Sequence, residues 1–98
     1  MRAIKIEGCK IENVNIDNTL EALQAAVDGY IEAVTLVPGA AVMIVNEEGL
    51  LRGMPYNAFA TLIAARNIVG PALIVGVDGD EFTDIPADIE HTIKIRFA

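Results

Sequence analysis

Ala41-Val42-Met43-Ile44-Val45 is an unbroken apolar run that follows directly on Pro38-Gly39 and Ala40. A strand with one face in water alternates apolar and polar residues. A continuous run therefore predicts a strand covered on both faces or central in its sheet. The Pro-Gly dipeptide breaks the extended segment Tyr30 to Val37 that precedes it, which predicts an antiparallel hairpin. A covered strand needs neighbours, and the chain supplies them. Ala72 to Val77 is a second apolar strand. Ala3 to Glu7 alternates with period two, and Ile11, Val14 and Ile16 mark a weaker extended piece. His91 to Phe97 alternates again, with Ile93, Ile95 and Phe97 on one face and Lys94 and Arg96 on the other. Glu47-Glu48-Gly49 reads as a further turn, and Leu50 to Arg52 as a short return strand.

Two segments follow helical spacing instead. Asp17-Asn18-Thr19 opens the first, where Asn18 followed by Glu21 has the arrangement of a capping box. Leu20, Leu23 and Val27 form its apolar stripe, and Gly29 stands where a left-handed C-terminal residue is expected. Pro55 suits the first turn of the second helix. Phe59, Leu62, Ile63 and Arg66 continue it, Asn67 or Gly70 ends it, and Pro71 prevents continuation. Ile85 to Glu90 has room for one helical turn. These elements predict a single α+β domain over residues 1–98. The fold expected is a largely antiparallel or mixed sheet of five to seven strands with two helices packed on one face.

At 98 residues, folding buries about 60–65% of the surface exposed by the unfolded chain. That supports one core without disulfide or metal. Only 5% of residues are aromatic against 53% hydrophobic, so the core must be built from Ile, Val, Leu and Ala. The formal net charge of −7 argues against direct nucleic-acid binding through the phosphate backbone. It suits a basic partner, a nucleic-acid mimic or simple solubility. The single Cys9 excludes an intrachain disulfide. No apolar run approaches the ~18 residues of a membrane span. The alternating N-terminus lacks the apolar core of a signal peptide, so the expectation is a cytoplasmic protein.

Chemistry-bearing residues are sparse. Cys9 and His91 are the one Cys–His pair, but no orienting group or oxyanion site accompanies them. They cannot by themselves complete a zinc site. The acidic loop Asp78 to Asp84 fails a calcium-loop pattern at Phe82, Thr83 and Ile89 and reads as a solvated turn. No glycine-rich phosphate-binding motif is present. No cofactor and no enzymatic activity are expected. The richest stretch is Val45 to Asn57, a connection that gathers Asn46, Glu47, Arg52, Tyr56 and Asn57 between apolar segments. Connections carry function more often than cores do. These five residues are the candidate binding set, with Asn46 and Asn57 able either to fix the connection internally or to face a ligand. Arg52, Tyr56 and Asn57 would lie beside the free N–H groups of a helix start, which suits an anion.

Leu20…Leu23-Gln24…Val27-Asp28-Gly29-Tyr30-Ile31-Glu32, then Val45-Asn46-Glu47-Glu48-Gly49…Gly53-Met54-Pro55…Asn57…Ala60-Thr61, then Ile68-Val69-Gly70, together resemble the domain-of-unknown-function family 3846. The resemblance spans about residues 18–77 and implies a phage or mobile-element origin, with no activity or catalytic residue to carry over. The expectation is a non-enzymatic accessory protein that binds a macromolecule, with modulation of a host defence or nucleic-acid enzyme as one concrete version. A small-molecule, nucleotide-like binding protein is the alternative, and a small hydrolase the remote one. Unpaired strands at the sheet edges also suit a homodimer.

Overall fold

The structure, a computed structural model, describes residues 1–97. Its elements run β1 (Arg2–Glu7), β2 (Lys10–Asn15), α1 (Leu20–Val27), β3 (Ile31–Val37), β4 (Ala41–Asn46), α2 (Ala58–Ala64), β5 (Ala72–Asp78), β6 (Glu81–Thr83) and α3 (Ala87–Phe97). All strand pairs are antiparallel, in the order β2-β1-β5-β4-β3, and β6 pairs with the distal half of β5. The α+β class and the antiparallel sheet are as the sequence predicts.

The two apolar runs, β4 and β5, lie side by side in the middle of the sheet, with Met43 opposite Ile74 and Ile44 opposite Leu73. Alternate residues of each point to opposite faces, and both faces are covered. Met43, Val45 and Ile74 join Ile4, Ile6, Ile68, Ile85 and Ile93 under α2 and α3. Ile44, Leu73 and Val75 join Ala3, Leu23 and Val27 under α1. This two-sided burial is why β4 and β5 read as continuous rather than alternating. It also corrects the expectation of two helices on one face: three helices divide between the two faces.

The third helix replaces the expected terminal strand. Ile93, Ile95 and Phe97 fit period two, yet Ile89, Ile93 and Phe97 fit a spacing of four. The second pattern prevails because that stripe packs into the core while Ile95 stays exposed. Asp88 and Glu90 in the first turn and Lys94 and Arg96 in the last also match the helix dipole. Phe97 meets Phe59 of α2 with ring centroids 5.6 Å apart. The element order is thus β-β-α-β-β-α-β-β-α, with β6 formed inside the stretch read as an acidic loop.

Smaller differences have local causes. Thr19, not Asn18, caps α1, its hydroxyl accepting from Ala22 N at 3.2 Å. Asn18 instead donates across to the Phe82 carbonyl at 2.7 Å. Asp28 takes the left-handed position after α1, at φ 63°, and Gly29 follows it. The second helix stops at Ala64, with Ala65 left-handed. No return strand forms at Leu50 to Arg52. The segment coils through successive turns, with Arg52 N donating to Glu48 O at 2.9 Å and Met54 N to Gly49 O at 3.0 Å. Gly76 lies where β5 meets the chain leaving β6, and a Cβ there would run into the Asp84 carbonyl.

Candidate functional site

Antiparallel pairing brings the ends of β1 and β4 and the starts of β3 and β5 to one end of the sheet. The β1–β2 turn, the α1–β3 connection, residues 47–57 and Gly70-Pro71 therefore gather there. All five candidate residues lie at this end, but they do not converge on one point.

Asn46 and Arg52 converge on the C-terminus of α1. A helix end leaves carbonyls unpaired, and Asn46 Nδ2 donates to two of them, Val27 O and Asp28 O, each at 3.0 Å. Its Oδ1 accepts from Glu48 N at 2.7 Å, which sets the direction of the coiled connection. Arg52 Nη1 donates to Asp28 O and Nη2 to the Asp28 carboxylate at 3.2 Å. Gly29 is glycine for room as well as backbone freedom: a Cβ would lie 2.7 Å from Asn46 Nδ2. The Gly29 and Asn46 of the sequence pattern are thus two halves of one joint.

Asn57 forms a second joint. It caps α2, Oδ1 accepting from Ala60 N at 3.2 Å, while Nδ2 donates to Ile6 O and Gly70 O, each at 2.9 Å. Asn57 is 1% exposed, so its amide is turned to the β1 backbone and to Gly70 just before β5 rather than to solvent. Tyr56 forms an isolated bridge with Val69 and leaves its ring exposed. Glu47 N donates to Tyr30 O at 2.8 Å, and its side chain is exposed. Among the described residues no buried side-chain nitrogen or oxygen lacks a partner.

Of the Cys–His pair, Cys9 lies in the β1–β2 turn and His91 on α3, both exposed. Among the described residues no group of three or more His, Cys, Asp or Glu is arranged to hold a metal ion, and no helix is long and apolar enough to cross a membrane. Asp84 of the acidic stretch accepts from Arg2 N at 2.7 Å.

Two features escaped the sequence reading. Leu50 and Leu51 stand out from the coiled connection, 76% and 89% exposed. Their signal was two adjacent leucines flanked by Gly49 and Gly53, in a segment too short to bury them. The other is an open cleft of about 560 Å³ between β1, α1 and the connection, lined by Lys5, Glu7, Asp28, Arg52, Met54 and Pro71 among others. Lys5 is half-buried there, and no charge pattern within β1 distinguishes it from an ordinary surface lysine.

An antiparallel sheet with helices on both faces, its polar connection pinned by two internal asparagine joints, defines a small α+β protein. The chain belongs to the family of the domain of unknown function DUF3846, which matches residues 1–98. No curated protein and no solved structure matches it. The family match takes in the terminal segments as well as the central region whose motifs carry the resemblance.

Proposed function

We propose that this chain is a non-enzymatic protein-binding module that engages its partner with the 47–56 connection. The observation that carries this reading is the display of Leu50 and Leu51. Large apolar side chains held in water mark contact surfaces when they are contiguous and fixed. Here the backbone that carries them is held at both ends, by Asn46 to Glu48 and by Arg52 to Asp28. A preordered loop loses little entropy on binding. Glu47 and Glu48 are exposed beside the leucines, and the chain carries a net charge of −7. The partner that fits is a protein presenting an apolar pocket with a basic rim. An origin in a phage or mobile element, and modulation of a host defence or nucleic-acid enzyme, are the concrete setting of this proposal.

The test is affinity purification from cells expressing the tagged chain, with Leu50→Ser/Leu51→Ser beside wild type and Leu62→Ser as a control on exposed α2. A specific protein recovered by wild type and by the control, and lost with the double variant, supports the reading. Equal recovery by all three, or no specific protein with wild type, overturns it.

A small-molecule site is a second reading, supported by the cleft with half-buried Lys5, which has no ion-pair partner among those found in the described residues. A nucleotide at 100 times its dissociation constant would add about 2.7 kcal/mol to stability. A thermal-shift screen that stays flat for wild type rejects it, and a shift abolished by Lys5→Ala supports it.

A further inference from the structure

The two edges of the sheet are not alike. β2 is guarded: Lys10 and Glu12 lie along it, 3.6 Å apart, and Asn13 is tied to Glu90. β3 has seven residues, Ile31-Glu32-Ala33-Val34-Thr35-Leu36-Val37, and pairs on one side only, with β4. Its one charge, Glu32, is bound to Arg66 at 3.3 Å. A long edge without lysine, proline or free charge is what folds normally avoid unless the edge is covered.

The free backbone groups of that edge can be assigned. In an antiparallel ladder, bonded and non-bonded pairs alternate. Glu47 N donates to Tyr30 O, so in the register Ile31↔Asn46 to Thr35↔Val42 the bonded residues are Glu32 and Val34. The N–H and C=O of Ile31, Ala33 and Thr35 therefore point outward. Side chains add a second feature. Tyr30 shares its side of the strand with Val34 and Leu36, which face the α2–α3 layer, yet its ring is 63% exposed. On the same side an apolar groove of about 240 Å³ opens at the far end of β3, between Leu36, Val37, Ile63, Ile89 and Ile93.

We propose that β3 pairs antiparallel with β3 of a second copy about a two-fold axis through Ala33, setting Tyr30 of each copy against the apolar groove of the other. With the axis there, Ile31 faces Thr35, Ala33 faces Ala33 and Thr35 faces Ile31. Each of these pairs exchanges both bonds, so every outward group of the three residues is used. Moving the axis by half a residue would present groups already bonded to β4. Moving it to Glu32 would set the two Glu32 side chains directly opposite each other, and moving it to Val34 would pair Ile31 with Val37, beyond the irregularity in β3. Moving it to Thr35 would bring in the irregularity between Thr35 and Val37. The same axis sets Glu32 opposite Val34, so the acids of the two copies are not opposed across the strands. It also sets Tyr30 opposite Leu36, at the mouth of the groove, where directly facing side chains pack closely. The interface is isologous and closes as a dimer, leaving the guarded β2 strands as the outer edges.

Sedimentation equilibrium of the full chain at tens of micromolar tests this. Wild type should have twice the chain mass of 10.5 kDa. Ala33→Pro removes an N–H that the single chain does not use. It should retain the wild-type circular dichroism spectrum and sediment as a monomer. Asn13→Pro, the outward position on β2, should remain dimeric. Tyr30→Ala should weaken dimerisation roughly 30-fold, the value for losing an aromatic anchor. Should Ala33→Pro fail to fold, register is read by thiol cross-linking in a Cys9→Ser background. Ala33→Cys should join through a short bismaleimide, because facing Cα atoms lie about 5.5 Å apart. Val37→Cys should not. A monomeric wild type, a dimer that survives in folded Ala33→Pro, or cross-linking of Val37→Cys as fast as Ala33→Cys overturns the proposal.

Discussion

Replacing Asn57 by alanine removes three hydrogen bonds at once: the α2 cap to Ala60 N and the two donations to Ile6 O and Gly70 O. Loss of a cap costs about 1 kcal/mol. Each carbonyl that loses its donor in a buried site costs about 1 kcal/mol more. The sum, about 3 kcal/mol, is a large share of the roughly 5–15 kcal/mol that stabilises a domain of this size. It corresponds to a melting temperature lower by about 12–24 °C. Asn57→Asp separates the two roles. Its carboxylate still accepts from Ala60 N, but it cannot donate, and it faces two carbonyl oxygens in a site that is 1% exposed. Burial and like polarity raise a carboxyl pKa in the folded state above its unfolded value of ~3.9. The stability of this variant is therefore fully present below ~3.9 and is lost as pH rises through the folded value. Urea unfolding followed by circular dichroism, at about pH 3.5 and pH 7, measures both effects as differences from wild type. The expected order at neutral pH is wild type, then Asn57→Ala, then Asn57→Asp, with the last recovering relative to wild type in acid. An alanine variant within about 0.5 kcal/mol of wild type, or an aspartate variant as stable as wild type at neutral pH, would refute the reading of Asn57 as an internal joint.

Asn46→Ala should cost about 2–3 kcal/mol in urea unfolding, for the same kind of buried loss at Val27 O, Asp28 O and Glu48 N. Arg52→Ala should cost less than about 1 kcal/mol, because its ion pair with Asp28 is solvent-exposed; equal losses for the two would show that the α1 joint has been misapportioned. Gly76→Ala should destabilise by about 2–3 kcal/mol through overpacking, since its Cβ meets the Asp84 backbone; an unchanged melting temperature would show that the β5–β6 corner is loose. Leu50→Ser/Leu51→Ser should leave urea stability within about 0.5 kcal/mol of wild type while reducing partner recovery, because neither side chain is packed; a destabilised variant would mean that the leucines belong to the core.

Much of the fold is legible along the chain. The runs at Ala41–Val45 and Ala72–Val77, the Pro38-Gly39 hairpin and the Leu20, Leu23, Val27 stripe each carry a local signal, and each element forms. The misreadings fall where a short segment fits two periods. His91 to Phe97 presents apolar residues at spacings of two and of four, and only the helical choice buries Ile89, Ile93 and Phe97 together. Leu50 to Arg52 is apolar enough for a strand but has no strand beside it to pair with. The side occupied by each helix was also beyond local reading. β4 and β5 are apolar on both faces, so the pattern of the strands calls for cover on each side without saying which helix supplies it.

The candidate residues divide in the same way. That Asn46, Glu47, Arg52, Tyr56 and Asn57 occupy an exceptional connection is visible in their order alone, as is the family pattern that contains them. Their partners are not, because Asn46 reaches back to Val27 and Asp28, and Asn57 to Ile6 and forward to Gly70. Propensity, period and turn chemistry act over a few residues, so the sequence by itself determined which elements exist and where they break. A hydrogen bond between groups distant along the chain depends on where sheet and helices meet. Only the tertiary structure could decide that both asparagines are internal joints and that Leu50 and Leu51 are left in water.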